Sequence, residues 1–181
     1  MMLDDAGEVV AKHAGERTIP EFEKTVARAV FYIDARKKAE AGDKSAGIDF
    51  AIAKLELGTL TADDAKKKIA ELGAPTAEQQ AHLDGILLNL EVTAIAKAAG
   101  TDRASAGRKF VEMKKAGRIP TGATEIIVFW DAILQNAAAQ KDIAGFEEAL
   151  GKLKEKLGSN PNKKPFFDKQ EAELKKMKSG K

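Results

Sequence analysis

The sequence predicts a mainly α-helical protein, a set of antiparallel helical hairpins following one short N-terminal β-hairpin. Three observations carry that prediction. Ala, Lys, Glu and Leu dominate the composition, while Tyr and Trp occur once each, a balance that favours helix. Apolar residues recur at spacings of three and four through most of the 181 positions, the period of a helix with one buried face. Single glycines at 42, 58, 73, 100, 117 and 158 close these stretches, as glycine does past a helix C-terminus. They are 16, 15, 27, 17 and 41 residues apart. The arrangement is thus similar to tetratricopeptide helical hairpins but lacks a regular repeat.

The N-terminal stretch Leu3-Asp4-Asp5-Ala6-Gly7-Glu8-Val9-Val10-Ala11-Lys12-His13-Ala14-Gly15 is the exception to the helical pattern. Asp4 and Asp5 can start a type I turn, and Gly7 can take the left-handed position that closes a short loop. Residues 8 to 13 mix β-branched and polar side chains, as a half-buried strand does. Only three residues precede the turn, fewer than the roughly five or six of an average strand. An isolated two-stranded hairpin is marginal in water, so this one is expected to belong to a larger sheet.

Thr18-Ile19-Pro20-Glu21 then starts a helix, with Thr18 as cap, Glu21 completing a capping box and proline in the first turn. Phe22, Val26, Ala29, Val30 and Ile33 form its apolar face, and it is expected to run to about residue 41. Its polar second half, Arg36-Lys37-Lys38-Ala39-Glu40, is expected to protrude beyond any sheet on which the first half packs. Ile48, Ala51, Ile52 and Leu55 mark the second helix. Thr61 caps a third with Ala65, Ile69 and Leu72, and Thr76-Ala77-Glu78-Gln79 forms a capping box for a fourth. That helix carries Leu83, Ile86, Leu87, Leu90, Val92, Ile95 and Ala99 around much of its circumference, which suggests a central position.

Asp102 starts a helix with Ala106, Phe110 and Met113 inward. The run Glu125-Ile126-Ile127-Val128-Phe129-Trp130 has strand-like composition, but no breaker separates it from a helical continuation, and one helix is expected. Asp142 caps a helix with Ile143, Phe146, Leu150, Leu153 and Leu157 at alternating spacings, and Pro165 opens the last one. In all, about seven or eight helices are expected.

Composition excludes several classes of function. The chain has 30 Lys plus Arg against 28 Asp plus Glu, a net charge of +2, which implies no polyanionic partner. It has no cysteine, and so no disulfide, thiol chemistry or Cys-type zinc site of its own. No hydrophobic run exceeds five residues, the length of 126 to 130, which is far too short to span a membrane. No signal-peptide layout is present, which leaves the compartment open between cytoplasm and periplasm.

The chemically suggestive residues each have a structural explanation. His13 and His82 are the only histidines, on separate elements, and are expected on a strand surface and a helix face. Asp4 and Asp5 suit the turn, Asp63 and Asp64 the first turn of a helix, and Glu147 and Glu148 a solvated face. Arg103, Arg108, Lys109, Lys114, Lys115 and Arg118 surround Phe110 and Met113 and could imitate a DNA-recognition helix, but Asp102 and Glu112 interrupt the charge. Phe129 and Trp130 fit a core better than a binding site. No phosphate loop or nucleophile motif occurs, and no catalytic, cofactor-binding or metal-binding residue is assigned.

The N-terminal stretch, with Thr18-Ile19-Pro20-Glu21-Phe22 after it, resembles the end of a thioredoxin-like domain. In that family the last two antiparallel strands are joined by an Asp-x-x-Gly turn, and a glycine resembling Gly15 leads into the final helix. Phe22, Val26 and Val30 match that helix's inward face. The resemblance covers residues 1–35, and residues 36–181 resemble the helical extensions of some bacterial thioredoxin-like proteins. It implies that the chain is the C-terminal portion of a thioredoxin-like redox protein, with residues 36–181 a helical protein-interaction scaffold. The expected partner is a protein, or the missing N-terminal part of the same protein. The family's Cys-x-x-Cys and cis-proline would lie upstream, so these residues would not themselves be an enzyme. The competing expectations are a stand-alone, non-enzymatic helical scaffold and, third, a nucleic-acid-binding helical protein.

Overall fold

Two short strands, β1 (Met2–Leu3) and β2 (Val9–Ala11), precede eight α-helices in the computed structural model, which describes residues 1–5, 7–12 and 18–179. The helices are α1 (Ile19–Glu40), α2 (Lys44–Glu56), α3 (Ala62–Leu72), α4 (Ala77–Ala99), α5 (Arg103–Lys115), α6 (Ala123–Gln140), α7 (Ile143–Leu157) and α8 (Lys164–Ser179). A 3₁₀ turn, Pro161–Lys163, leads into α8. The mainly helical fold with a small N-terminal antiparallel sheet is the architecture expected from the sequence. His13, Gly15 and the Glu21 side chain, all given roles above, lie outside the described residues and atoms. Among the described residues no helix is long and apolar enough to cross a membrane.

The chain divides into two compact units, Met1–Ile86 and Leu87–Lys181, with the division inside α4. In the first unit the hairpin packs against α1, which packs on α2, and α2 on α3. Val10, Ala11, Ala29, Tyr32 and Ala53 form one buried cluster, with Met2, Ile33, Phe50 and Leu57 against it. Tyr32 meets Phe50 edge-to-face, with ring centroids 5.1 Å apart, a favoured aromatic geometry. The box expected at Thr76 and Gln79 forms, and α2 has a cap beyond those expected from the sequence. Asp43 Oδ1 accepts from Ala46 N at 3.0 Å, and Thr76 and Gln79 satisfy each other's backbone N–H at 3.2 and 3.0 Å, a reciprocal capping box.

Within the second unit, α5 packs on α6, α6 on α7 and α7 on α8. The apolar run that opens α6 is helical throughout. Helix suits it because Phe129, Trp130, Ile133, Leu134 and Ala137 all find buried places. Phe129 stacks on Phe110 at 5.0 Å and meets Trp130 edge-on at 5.5 Å. The enclosed helix of this unit is α6. In α4, Val92 is buried, but Leu90 is 43% exposed, so its broad apolar surface does not make α4 a central helix. Its apolar positions are divided between the two units.

Helix α5 approaches α6 closely at Gly107. A Cβ there would lie 2.0 Å from Ala132 O and 2.6 Å from Asn136 Cβ, far inside van der Waals contact. Two chain reversals depart from the glycine pattern. Gly158 stays in the ordinary helical region at φ −64°, and the break after α7 is made by Asn160 and Pro161, Asn160 capping through Asn162 N at 3.0 Å. Between α6 and α7 the left-handed residue is Lys141, at φ 54° and ψ 31°, where a side chain is strained.

Both features predict stability effects readable by thermal or urea unfolding. Gly107→Ala should destabilise by about 2–4 kcal/mol, because backbone rather than a flexible side chain blocks the new methyl group. Lys141→Gly should stabilise by about 0.5–1 kcal/mol, as relief of left-handed strain exceeds the entropic penalty of glycine.

Candidate functional site

The hairpin is held by backbone geometry first. Asp4 N donates to Glu8 O at 3.0 Å and Gly7 N to Asp4 O at 3.1 Å, with Gly7 at φ 81°, so a glycine suits this corner. Glu8 N also donates to the Asp4 carboxylate at 2.8 Å. That carboxylate is only 3% exposed, and Arg36 of α1 reaches it at 2.5 Å and Glu8 at 3.3 Å. A second tie runs from Lys12 Nζ to Leu57 O at the end of α2, 2.8 Å.

Arg36 belongs to the half of α1 expected to protrude. It turns instead onto the hairpin, because the nearly buried Asp4 carboxylate needs a countercharge. The hydrogen bond to Asp4 in turn raises the Arg36 pKa above its already high ordinary value. Nothing in the sequence marked this pair, since Asp4 had a sufficient role in the turn and Arg36 stands in a run of polar residues.

The buried face of α1 is Thr25, Ala29, Tyr32 and Ala35, at spacings of four, three and three. Beside it on the helix runs a second apolar flank. Ile19 is 77% exposed, Val30 61% and Phe22 44%, while Val26 is half-buried. Leu3 of β1 is also exposed. Of Phe22, Val26 and Val30, the residues expected inward, Val26 is half-buried and Val30 faces solvent. The hairpin covers the Ala29 and Tyr32 side.

The other flank of α1 borders a cleft of about 690 Å³ whose lining includes Arg28, Phe31, Asp49, Glu56, Gln79 and His82. Gln79 is its organising residue. Buried at the start of α4, it donates through Nε2 to Ser45 O at 3.0 Å, Ser45 Oγ at 3.2 Å and Asp49 Oδ1 at 2.8 Å. His82 Nε2 lies 3.8 Å from Glu56 Oε2, and Arg28 lies 3.4 Å from Glu56 Oε1. The amide and carboxylates here are spent on holding α2 to α4. Among the described residues no group of three or more His, Asp or Glu is placed to hold a metal ion.

The remaining candidates are scattered. Asp64 accepts from the Thr61 hydroxyl at 2.6 Å in the first turn of α3. Glu147 and Glu148 pair with Lys178 and Lys114 on the surface. Of the six cations around Phe110, Arg103 pairs with Asp131, Lys114 with Glu148, Lys115 with Glu112 and Arg118 with Glu91. Phe110 and Met113 themselves are buried core residues. Phe129 and Trp130 are core as well, Trp130 having Lys114 Nζ 6.0 Å from its ring centroid. No protein-family model, curated protein or solved structure matches the chain.

Tyr32 is the sole tyrosine and lies under the hairpin. Burial pushes its pKa above the ordinary 10.0, the carboxylates of Glu8 and Asp4 push the same way, and Arg36 opposes them. The raised folded-state pKa means the native protein holds this proton longer than the unfolded chain does. The associated stability is therefore complete below about pH 10 and is lost as pH rises through the folded pKa. Ultraviolet titration of the phenolate should give a midpoint above 10 in buffer and near 10 in strong denaturant. Equal midpoints would show that Tyr32 is not enclosed.

Proposed function

We propose that this chain is the C-terminal portion of a thioredoxin-like redox protein, with residues 1–35 contributing the last hairpin and helix of its sheet domain. The helical domain, residues 36–181, serves as a scaffold that holds a protein partner. The observation that carries this reading is the open apolar flank of α1 at Ile19 and Val30, 77% and 61% exposed. A helix packed on the face of a full sheet would bury those side chains. Burying a Val or Ile side chain is worth about 1.5–3 kcal/mol, so an exposed pair on one flank marks a surface suited to being covered.

By the family resemblance, the chemistry would be thiol–disulfide exchange at a Cys-x-x-Cys outside these residues. The present chain, which has no cysteine, would contribute no catalytic group. Its part would be to complete the sheet domain and to present the helical surface.

A second reading has an observation of its own. The hairpin is already tied to this chain by the Arg36–Asp4 pair and the Lys12–Leu57 hydrogen bond, so it needs no further sheet to stay in place. That favours a stand-alone helical scaffold without enzymatic activity. A nucleic-acid-binding role is the weakest of the three, since four of the six candidate cations are already paired with carboxylates.

The DNA directly upstream of the Met1 codon distinguishes the first two readings. An open frame encoding Cys-x-x-Cys supports the redox protein, and an in-frame stop codon with no coding sequence beyond it overturns it. At the protein level, Ile19→Gln with Val30→Gln should shift the stability of the present chain by no more than about 0.5 kcal/mol. In the longer protein the same pair should cost several-fold more, as measured by urea unfolding.

A further inference from the structure

A second cleft of the first unit, about 400 Å³, lies between the end of α1, the outer side of α2 and α3. Its floor is apolar, made by Phe50, Ala51 and Leu72. Gly47 lets Leu72 of α3 settle closely on α2, since a Cβ there would lie 3.1 Å from Leu72 Cδ1. Three lysines, Lys44, Lys54 and Lys68, also line it.

These lysines differ from the ion-paired cations of the chain. Lys38, Lys114, Lys115, Lys152, Lys154, Lys176 and Lys178 each face a carboxylate. Among the described residues Lys44, Lys54 and Lys68 make no such pair. Two nearby aspartates keep their negative charge but form no ion pair with these lysines, being hydrogen-bonded within their own helix starts. Asp43, at the rim, caps α2 through Ala46 N, and Asp64, one turn before Lys68, accepts from Thr61 Oγ1 at 2.6 Å. Lys54 Nζ lies 5.3 Å from the centroid of the Phe50 ring, which orients a cation over the apolar floor.

We propose that this cleft binds an amphipathic carboxylate of the medium-chain fatty-acid class. Its carboxylate sits among Lys44, Lys54 and Lys68, and its alkyl chain lies on Phe50, Ala51 and Leu72. A bare inorganic anion would leave that floor wet, and a neutral alkyl chain would leave the three ammonium groups unanswered. The volume falls within the range of small-molecule sites, roughly 300–1,000 Å³. The larger cleft beside α4 sets Asp49, Glu56 and Glu78 against Arg28 on its lining, a net negative charge, so an anion is directed to the lysine-lined cleft.

Isothermal titration of the full chain with decanoate, decylammonium and inorganic phosphate tests the proposal. Decanoate should bind at a single site and decylammonium should not. Lys44→Gln with Lys68→Gln should raise the decanoate Kd by about tenfold or more. Both side chains are exposed, and an unchanged circular dichroism spectrum verifies the fold. Lys54→Gln alone should also weaken decanoate, and Lys175→Gln on α8 should not. Raising salt from about 0.05 to about 0.5 M should weaken binding as the charges are screened. Equal binding of decylammonium, an unchanged Kd in the double variant, or phosphate binding as tightly as decanoate would each overturn the proposal.

Discussion

The N-terminal half depends on keeping a hairpin of two very short strands in place. Strands of two and three residues cannot hold themselves together by ladder bonds. Docking supplies what pairing cannot. Val10 and Ala11 are almost wholly buried against Ala29, Tyr32 and Ala53, and the Asp4 carboxylate, removed from water by the same docking, is answered by Arg36. Either half alone would be costly. Apolar docking without Arg36 would take the Asp4 carboxylate out of water with one countercharge fewer, and the ion pair without Val10 and Ala11 would be an ordinary surface contact.

That docking also determines which face of α1 is left over. A helix of 22 residues with apolar side chains over more than one flank can satisfy only the flank its neighbours reach. The hairpin and α2 take the Ala29 and Tyr32 side, which leaves Ile19 and Val30 toward solvent. Val30, expected inward by the resemblance, is among the side chains left over.

Local chemistry was legible in the sequence, and long-range pairing was not. The reciprocal cap of Thr76 and Gln79 follows from two residue types three positions apart, but the reach of Gln79 to Ser45 and Asp49 does not, since thirty or more positions intervene. The helical state of residues 125–130 followed from the absence of a breaker before Asp131. Glycine was a good but incomplete guide to reversals. Lys141 takes a left-handed conformation without being glycine, and Gly158 is glycine without taking one, because the tertiary setting and not the residue alone selects the conformation. The cleft at Lys44, Lys54 and Lys68 was invisible for a similar reason. Lysines spaced by ten and fourteen positions look like scattered surface charge until α2 and α3 bring them to one rim.

The chain has one tyrosine and one tryptophan, and each is buried in a different unit. Tyr32 lies under the hairpin in the first, and Trp130 lies against Phe129 in the second. Nature has thus placed one optical label in each half, with no competing fluorophore of its own kind. Tryptophan emission excited at the red edge senses only the second half, and ionisation of the tyrosine phenol, which tryptophan cannot undergo, senses only the first. Whether the halves melt together or in sequence can be seen in a single unlabelled sample.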